Sequence, residues 1–174
     1  MQFAAKKCPD LITCAYSDRN PVSNFFAEYA RMSVASPLPP SHPQLAVSAA
    51  IFRDNKILLV RRARSPAKGF YSLPGGRVEF GESLHAALYR EVDEETALKI
   101  EIIGLAGWRE VLPRTSGGGH YLIMSFAARW TSGEPVLNEE LDDFRWLAPD
   151  ALGDLDLTAG LPEVIRSAWG LLRA

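Results

Sequence analysis

Three glutamates packed into five residues, Glu91, Glu94 and Glu95, are the side chains whose type and spacing could do chemistry in this chain. On a helix, at about 100° per residue, Leu84, Leu88, Glu91, Glu95 and Leu98 fall on nearly one meridian, so two carboxylates continue a stripe that leucines begin. Glu94, three positions after Glu91 and about 60° round the helix, can bring its carboxylate to the same spot. Asp93 points the other way, to solvent. A solvated acidic face is the plain alternative, and two costs count against it. Like charges at neighbouring helical positions repel by roughly a few tenths of a kcal/mol per pair, with only Arg90 close in sequence to compensate. Carboxylates in the last turns also oppose the helix dipole. A hard divalent cation removes both costs, and clustered oxygen donors select Mg²⁺, Mn²⁺ or Ca²⁺.

Such a site needs elements to aim it. Good helix formers dominate residues 83–97, with Ser83 placed to cap the helix. The loop ahead of it, residues 65–76, is rich in Gly, Pro and Ser. There Gly75 and Gly76, and Gly81 just beyond, permit close approach of backbone to a ligand or ion. Upstream, apolar β-branched runs at 45–52 and 56–61 flank Arg53-Asp54-Asn55 and read as a hairpin. Downstream, 99–111 and 121–130 read as longer strands, joined by a loop that contains Gly117-Gly118-Gly119. Residues 144–147 read as a short strand. A closing helix over 162–172 carries the apolar stripe Val164, Ile165, Ala168, Trp169 and Leu172, with Pro162 in its first turn. Strands mixed with two or three helices predict an α/β (α+β) sandwich, helices on the faces of a mixed sheet. Tyr71 and Trp108 could stack on a base, yet both read as core residues, and Arg61, Arg62 and Arg77 are candidates for steering phosphate that read more readily as ordinary surface cations.

Taken together, Gly76, five residues, Glu82, seven residues, Arg90-Glu91-Val92, one residue, Glu94-Glu95, one residue and Ala97-Leu98 resemble the Nudix box, the signature of the Nudix hydrolases. Leu73-Pro74-Gly75-Gly76 and Glu79-Phe80-Gly81-Glu82 match common embellishments of that motif. The similarity runs over roughly residues 45 to 172, and the flanks resemble the ADP-ribose pyrophosphatase-like branch. The resemblance implies a Nudix-type α/β/α sandwich and a site that binds Mg²⁺ or Mn²⁺ on a diphosphate. Glu91, Glu94 and Glu95 are then metal ligands assisted by the Gly75 carbonyl, and Arg90 and Glu82 hold loop and helix in register. It also implies a further acid on a distant loop, for which Glu140 is the candidate, and it leaves a homodimer open. One position departs from the motif, Ala97, where the family has a glycine that ends the helix. The implied reaction is metal-dependent hydrolysis of a diphosphate linkage in a nucleoside diphosphate derivative such as ADP-ribose or a nucleotide sugar. House-cleaning of oxidised nucleoside triphosphates and ligand sensing without cleavage are the competing readings. Pro113 favours the first modestly, because ADP-ribose-cleaving members tend to have a proline near that offset.

Composition bounds the rest. The 174 residues suit one domain with one well-filled core. A formal net charge of −2 gives no general attraction to nucleic acid polymers or anionic membranes, so the expected partner is a small nucleotide. No run approaches the ~20 apolar residues of a membrane span, and Asp10, Asp18, Arg19 and Glu28 stand where a signal peptide would be apolar, which makes the cytoplasm the expectation. Cys8 and Cys14 read as plain thiols. Four prolines over residues 36–43 form an extended spacer. It separates an extension, residues 1–43 with a short helix at 25–31, from a catalytic domain at 44–174. Met32 is a candidate working start.

Overall fold

The computed structural model describes residues 42–65, 67–113 and 119–174. Cys8, Cys14, the helix expected at 25–31, Met32, most of the proline spacer and residues 114–118 lie outside them. The chain divides into two units, Met1–Pro39 and Pro40–Ala174, and everything below concerns the second.

Strands β1 (Gln44–Arg53) and β2 (Lys56–Arg62) form the expected hairpin. Asp54 and Asn55 both take positive φ, 50° and 60°, the conformation a two-residue hairpin turn requires and that Asp and Asn tolerate. Strand β3 (Tyr71–Ser72), β4 (Lys99–Val111), β5 (Tyr121–Ser132) and β6 (Leu141–Leu147) complete a six-stranded mixed sheet. β1 runs parallel to β5 from Gln44↔Tyr121 to Phe52↔Arg129, and β4 is antiparallel to β5. Expected and observed strands agree except for β3, which lies within the segment 65–76 that reads as a loop and is held as a strand by pairing with β2, and at two ends. β5 continues to Ser132, and β6 begins at Leu141, three residues before the segment that reads as a strand. The early part of β6 contains Asp142 and Asp143, poor strand formers on their own, held by Arg61 and Tyr71 from across the sheet.

β2 determines where the site can be. One of its edges pairs with β6 throughout, from Ile57↔Leu147 to Arg62↔Leu141. Its other edge meets β1 only at Phe52↔Ile57 and Arg53↔Lys56, then pairs with β3 at Val60↔Ser72 and Arg61↔Tyr71. β1 and β2 therefore diverge beyond the hairpin. Residues 74–78 fill the opening along the freed edge of β1, with Ala49 N–H donating to the Pro74 carbonyl (2.9 Å), Val47 N–H to the Gly76 carbonyl (2.9 Å) and Val78 N–H to the Leu45 carbonyl (3.0 Å).

Helix α1 (Leu84–Thr96) covers one sheet face, packing Ala87, Leu88 and Val92 on Val47, Ala49, Ile51, Leu58 and Val60. Helix α2 (Leu161–Arg173) covers the other, packing Leu161, Ile165 and Ala168 on Ala50, Phe52, Ile57, Leu59 and Ala127. This is the α/β/α sandwich that the sequence predicts. Strict alternation along β1 and β2 divides their residues between the two cores. Among the described residues no helix is long and apolar enough to cross a membrane.

Ser83 caps α1, its hydroxyl accepting from Ala86 N–H at 3.1 Å. The other end closes on Ala97, which takes the left-handed conformation (φ 56°, ψ 17°) and donates its N–H to the Asp93 carbonyl at 2.8 Å. The departure from the family motif thus leaves the turn unchanged and puts strain on an exposed alanine. Left-handed backbone costs an alanine about 1 kcal/mol relative to glycine. Ala97→Gly is expected to raise stability by about that amount in urea unfolding, with no change in the dependence on denaturant; an unchanged or lower midpoint would show that the turn carries no such penalty.

Candidate active site

The strip from Pro74 to Gly76 is where sheet and helix meet. Gly75 has φ 146°, and a Cβ there would lie 2.2 Å from the Val47 carbonyl oxygen and 2.6 Å from Ser48 Cα, so no side chain fits. The carbonyls on either side of Gly75 bond to β1, while its own N–H turns toward the helix and donates to Glu95 Oε2 at 2.7 Å. Gly76 is closed for a different reason. A Cβ on it would come within 2.5 Å of the Glu91 carboxylate, which occupies the space a side chain would take.

The two carboxylates that the meridian turns inward do face inward. Glu95 is 5% exposed. Its carboxyl is pushed up to about 7, first by burial and then by the neighbouring charges of Glu91 and Glu140, against the Gly75 N–H bond and the charge of Arg62. Burial also raises Glu91, with Glu94 and Glu140 adding and Arg90 opposing. Asp93 is exposed, as expected, and pairs with Lys99 at 2.7 Å.

Arg90 organises the groups around them. Its Nε and Nη2 donate to Glu82 Oε1 and Oε2 at 3.0 and 2.9 Å, a two-pronged geometry only a guanidinium supplies. Nη2 also reaches the Arg77 carbonyl at 3.1 Å. Nη1 donates to Glu91 Oε1 at 2.9 Å and to Glu94 Oε2 at 3.3 Å. The Arg90 bond holds the Glu82 carboxyl below its ordinary range, and that partner in turn holds Arg90 charged. This one side chain ties Arg77 and Glu82 of the loop to the helix, and Glu91 and Glu94 converge on the same guanidinium nitrogen.

Among the described residues, no three acidic, imidazole or thiol side chains already converge closely enough to form a metal cluster. The donor set nevertheless fits a hard divalent cation. It consists of oxygens alone, and the charges of Glu94 and Glu140 raise the proton affinity of Glu91 while those of Glu91 and Glu140 raise that of Glu95, an effect that a cation would reverse. Glu94, with its side chain 58% exposed, can turn without breaking a core contact.

Sequence reasoning misjudges two residues here. Trp108 is not core: it is 65% exposed, whereas Tyr71 is buried at 5% and bonds Asp143 through its hydroxyl. Helix α1 packs against β4 near Ile100 and Ile102 and leaves the Trp108 stretch of that strand uncovered. Arg62 reads as a surface cation, yet its charge acts on Glu95. The available signal is alternation along β2, which puts Arg62 on the same face as Leu58 and Val60, under α1.

A NUDIX domain profile matches residues 42–168. The ADP-ribose pyrophosphatase of Methanocaldococcus jannaschii is 41% identical over 93 residues, 53% of this chain and 54% of that protein. The NAD-capped RNA hydrolase NudC of Pseudomonas aeruginosa is 36% identical over 120 residues, 66% of this chain and 40% of that protein. The chain thus spans about half the length, or less, of these two relatives. Among solved structures, the MutT NUDIX hydrolase from Burkholderia pseudomallei superposes with a TM-score of 0.67 at 31% identity, over 73% of this chain and 98% of that one.

The two glycines should separate fold from site. Gly75→Ala collides with backbone and is expected to destabilise by several kcal/mol, on the order of ~3. Gly76→Ala meets only the end of a flexible side chain, so its melting temperature should stay within about 4 °C of the parent while the Glu91 carboxylate is displaced and turnover falls at least about tenfold. Melting curves and kcat measured on both variants check this, and equal destabilisation by the two would contradict the geometry.

Proposed function

This chain belongs to the NUDIX domain family, and we propose that it is a divalent-metal-dependent hydrolase that cleaves the diphosphate of a nucleoside diphosphate derivative, with ADP-ribose as the first candidate. The observation that carries this reading is the placement of Glu91 and Glu95, two inward carboxylates against a side-chain-free strip of backbone, with Arg90 and Glu82 locking helix to loop. ADP-ribose is named for the 41% identical relative. Pro113 agrees with that choice.

Glu91, Glu94, Glu95 and the Gly75 carbonyl would hold Mg²⁺ or Mn²⁺, which when bound supplies charge neutralisation at the phosphate oxygens and a more acidic water. The chain's own groups do the rest. Gly75 N–H holds Glu95 in one rotamer, and Arg90 holds Glu91 above Gly76, so neither carboxylate has to be ordered during the reaction. Glu91 takes the proton of the attacking water as the bond from phosphorus to the leaving phosphate oxygen breaks. Glu140, whose charge acts on both Glu91 and Glu95, is an additional acid of the same site.

Register also suggests where the nucleoside rests. Gly76, Val47, Met124 and Trp108 form one cross-strand row on the α1 face, which puts Trp108 about 14 Å from Gly76 at ~4.8 Å per strand. That span is comparable to the length of a nucleoside diphosphate, and an exposed indole offers the base a stacking surface. We assign the whole activity to residues 44–174.

Removing divalent ions with EDTA is expected to abolish release of AMP from ADP-ribose, and Mg²⁺ or Mn²⁺ to restore it. Glu91→Gln and Glu95→Gln, which keep size and lose charge, should each lower kcat by about a hundredfold or more at saturating metal with the melting temperature retained. Near-parental turnover in either variant would sink the site assignment. A kcat/KM for nucleoside triphosphates about tenfold or more above that for ADP-ribose would instead move the substrate to the triphosphates and leave the chemistry in place.

A further inference from the structure

The turn that carries Glu140 is anchored on both sides. The last carbonyls of a helix lack partners within it, and here the segment before β6 supplies them: Val136 N–H donates to the Thr96 carbonyl at 2.9 Å and Asn138 N–H to the Glu95 carbonyl at 3.4 Å. The Asn138 side chain then bends the chain back on itself, its Oδ1 accepting from Glu140 N–H at 2.9 Å, and its carbonyl accepts from Leu141 N–H at 3.3 Å. On the far side, Ala63 N–H, just past β2, donates to the Glu140 carbonyl at 2.8 Å. Glu140 itself is exposed. Its reach toward Glu91 and Glu95 is therefore set by this short backbone path and not by packing of its side chain.

We propose that Asn138 is a positioning residue for the carboxylate site: its main chain docks the turn on the carbonyl of Glu95 while its side-chain oxygen fixes the Glu140 backbone, so that Glu140 is presented to the same space as Glu91 and Glu95. One residue thereby links the carboxylate on the helix to the one on the loop, 45 positions further along the chain. An asparagine suits this because its carbonyl accepts from the amide two residues on and leaves its own N–H for the helix. The proposal rests on the reading of Glu91, Glu95 and Glu140 as one site.

The test is a double-mutant cycle on the full chain, with ADP-ribose as substrate and with Mn²⁺ binding to the metal-free protein followed by calorimetry. Glu140→Gln is expected to lower kcat by about tenfold or more. Asn138→Ala should lower kcat by about fivefold and weaken Mn²⁺ binding, with KM and melting temperature little changed. Asn138→Ser, which keeps an acceptor oxygen, should recover part of both losses. In the Glu140→Gln background Asn138→Ala should have no further effect, because a residue that acts only through Glu140 has nothing left to position. Additive losses, an Asn138→Ala variant with parental kcat and Mn²⁺ affinity, no recovery with serine, or parental kcat in Glu140→Gln would each overturn the proposal. Full activity of Glu91→Gln would bring down the underlying site reading as a whole, whereas additive losses alongside an inactive Glu91→Gln would reject Asn138 alone.

Discussion

The hydrogen bond from Gly75 N–H to the buried Glu95 carboxylate is the contact on which the site depends. It joins two things that would otherwise be costly: a carboxylate taken out of water, and an amide in a strip whose neighbouring carbonyls are committed to β1. Neither side can be rebuilt alone. Glu95 needs a donor at that depth, and Gly75 has to lie against Val47 and Ser48 at a distance no Cβ allows. The divergence of β1 from β2 supplies the opening in which this happens, so a detail of strand pairing decides where the chemistry can be.

Around that contact the charges form two groups with different surroundings. Glu82 and Arg90 form a closed pair that holds each partner in its charged form. Glu91 and Glu95 are pushed toward the neutral form by burial and by nearby negative charge. A structural ion pair thus stands next to a cluster whose repulsion remains for a ligand to relieve, and Arg90 belongs to both through Glu91. Exchange of that arginine for lysine would keep the charge and lose the fork that separates the two roles.

Much of this was legible in the sequence, because it rests on local spacing. The helix limits follow from Ser83 and the leucine stripe, the inward turn of Glu91 and Glu95 from the helical repeat, and the hairpin from Asp54-Asn55. Long-range partners were hidden. The start of β6 looks like a loop until Asp142 and Asp143 meet Arg61 and Tyr71, 81 and 72 positions away. Trp108 looks like core because alternation tells which face a residue occupies but not how far a helix extends over that face. Local spacing shows Arg90 only as one compensating cation, and it is the resemblance to the Nudix box, not the helical repeat, that pairs it with Glu82 eight positions earlier.

The parallel pairing of β1 with β5 has a consequence for how the site is acquired. Ser48 and Ser125, which meet across these strands, are 77 positions apart. β4 and β5, by contrast, are neighbours in the chain and can zip together from their connecting loop. Contacts that close long loops form late, because the chain entropy they cost is recovered only once many of them exist. β1 has no stable edge against which to hold the Gly75 strip until that long loop has closed. The strip that receives the Glu95 carboxylate is thus tied to a long-range pairing of the sheet, and the metal-competent arrangement cannot be complete before that loop has closed.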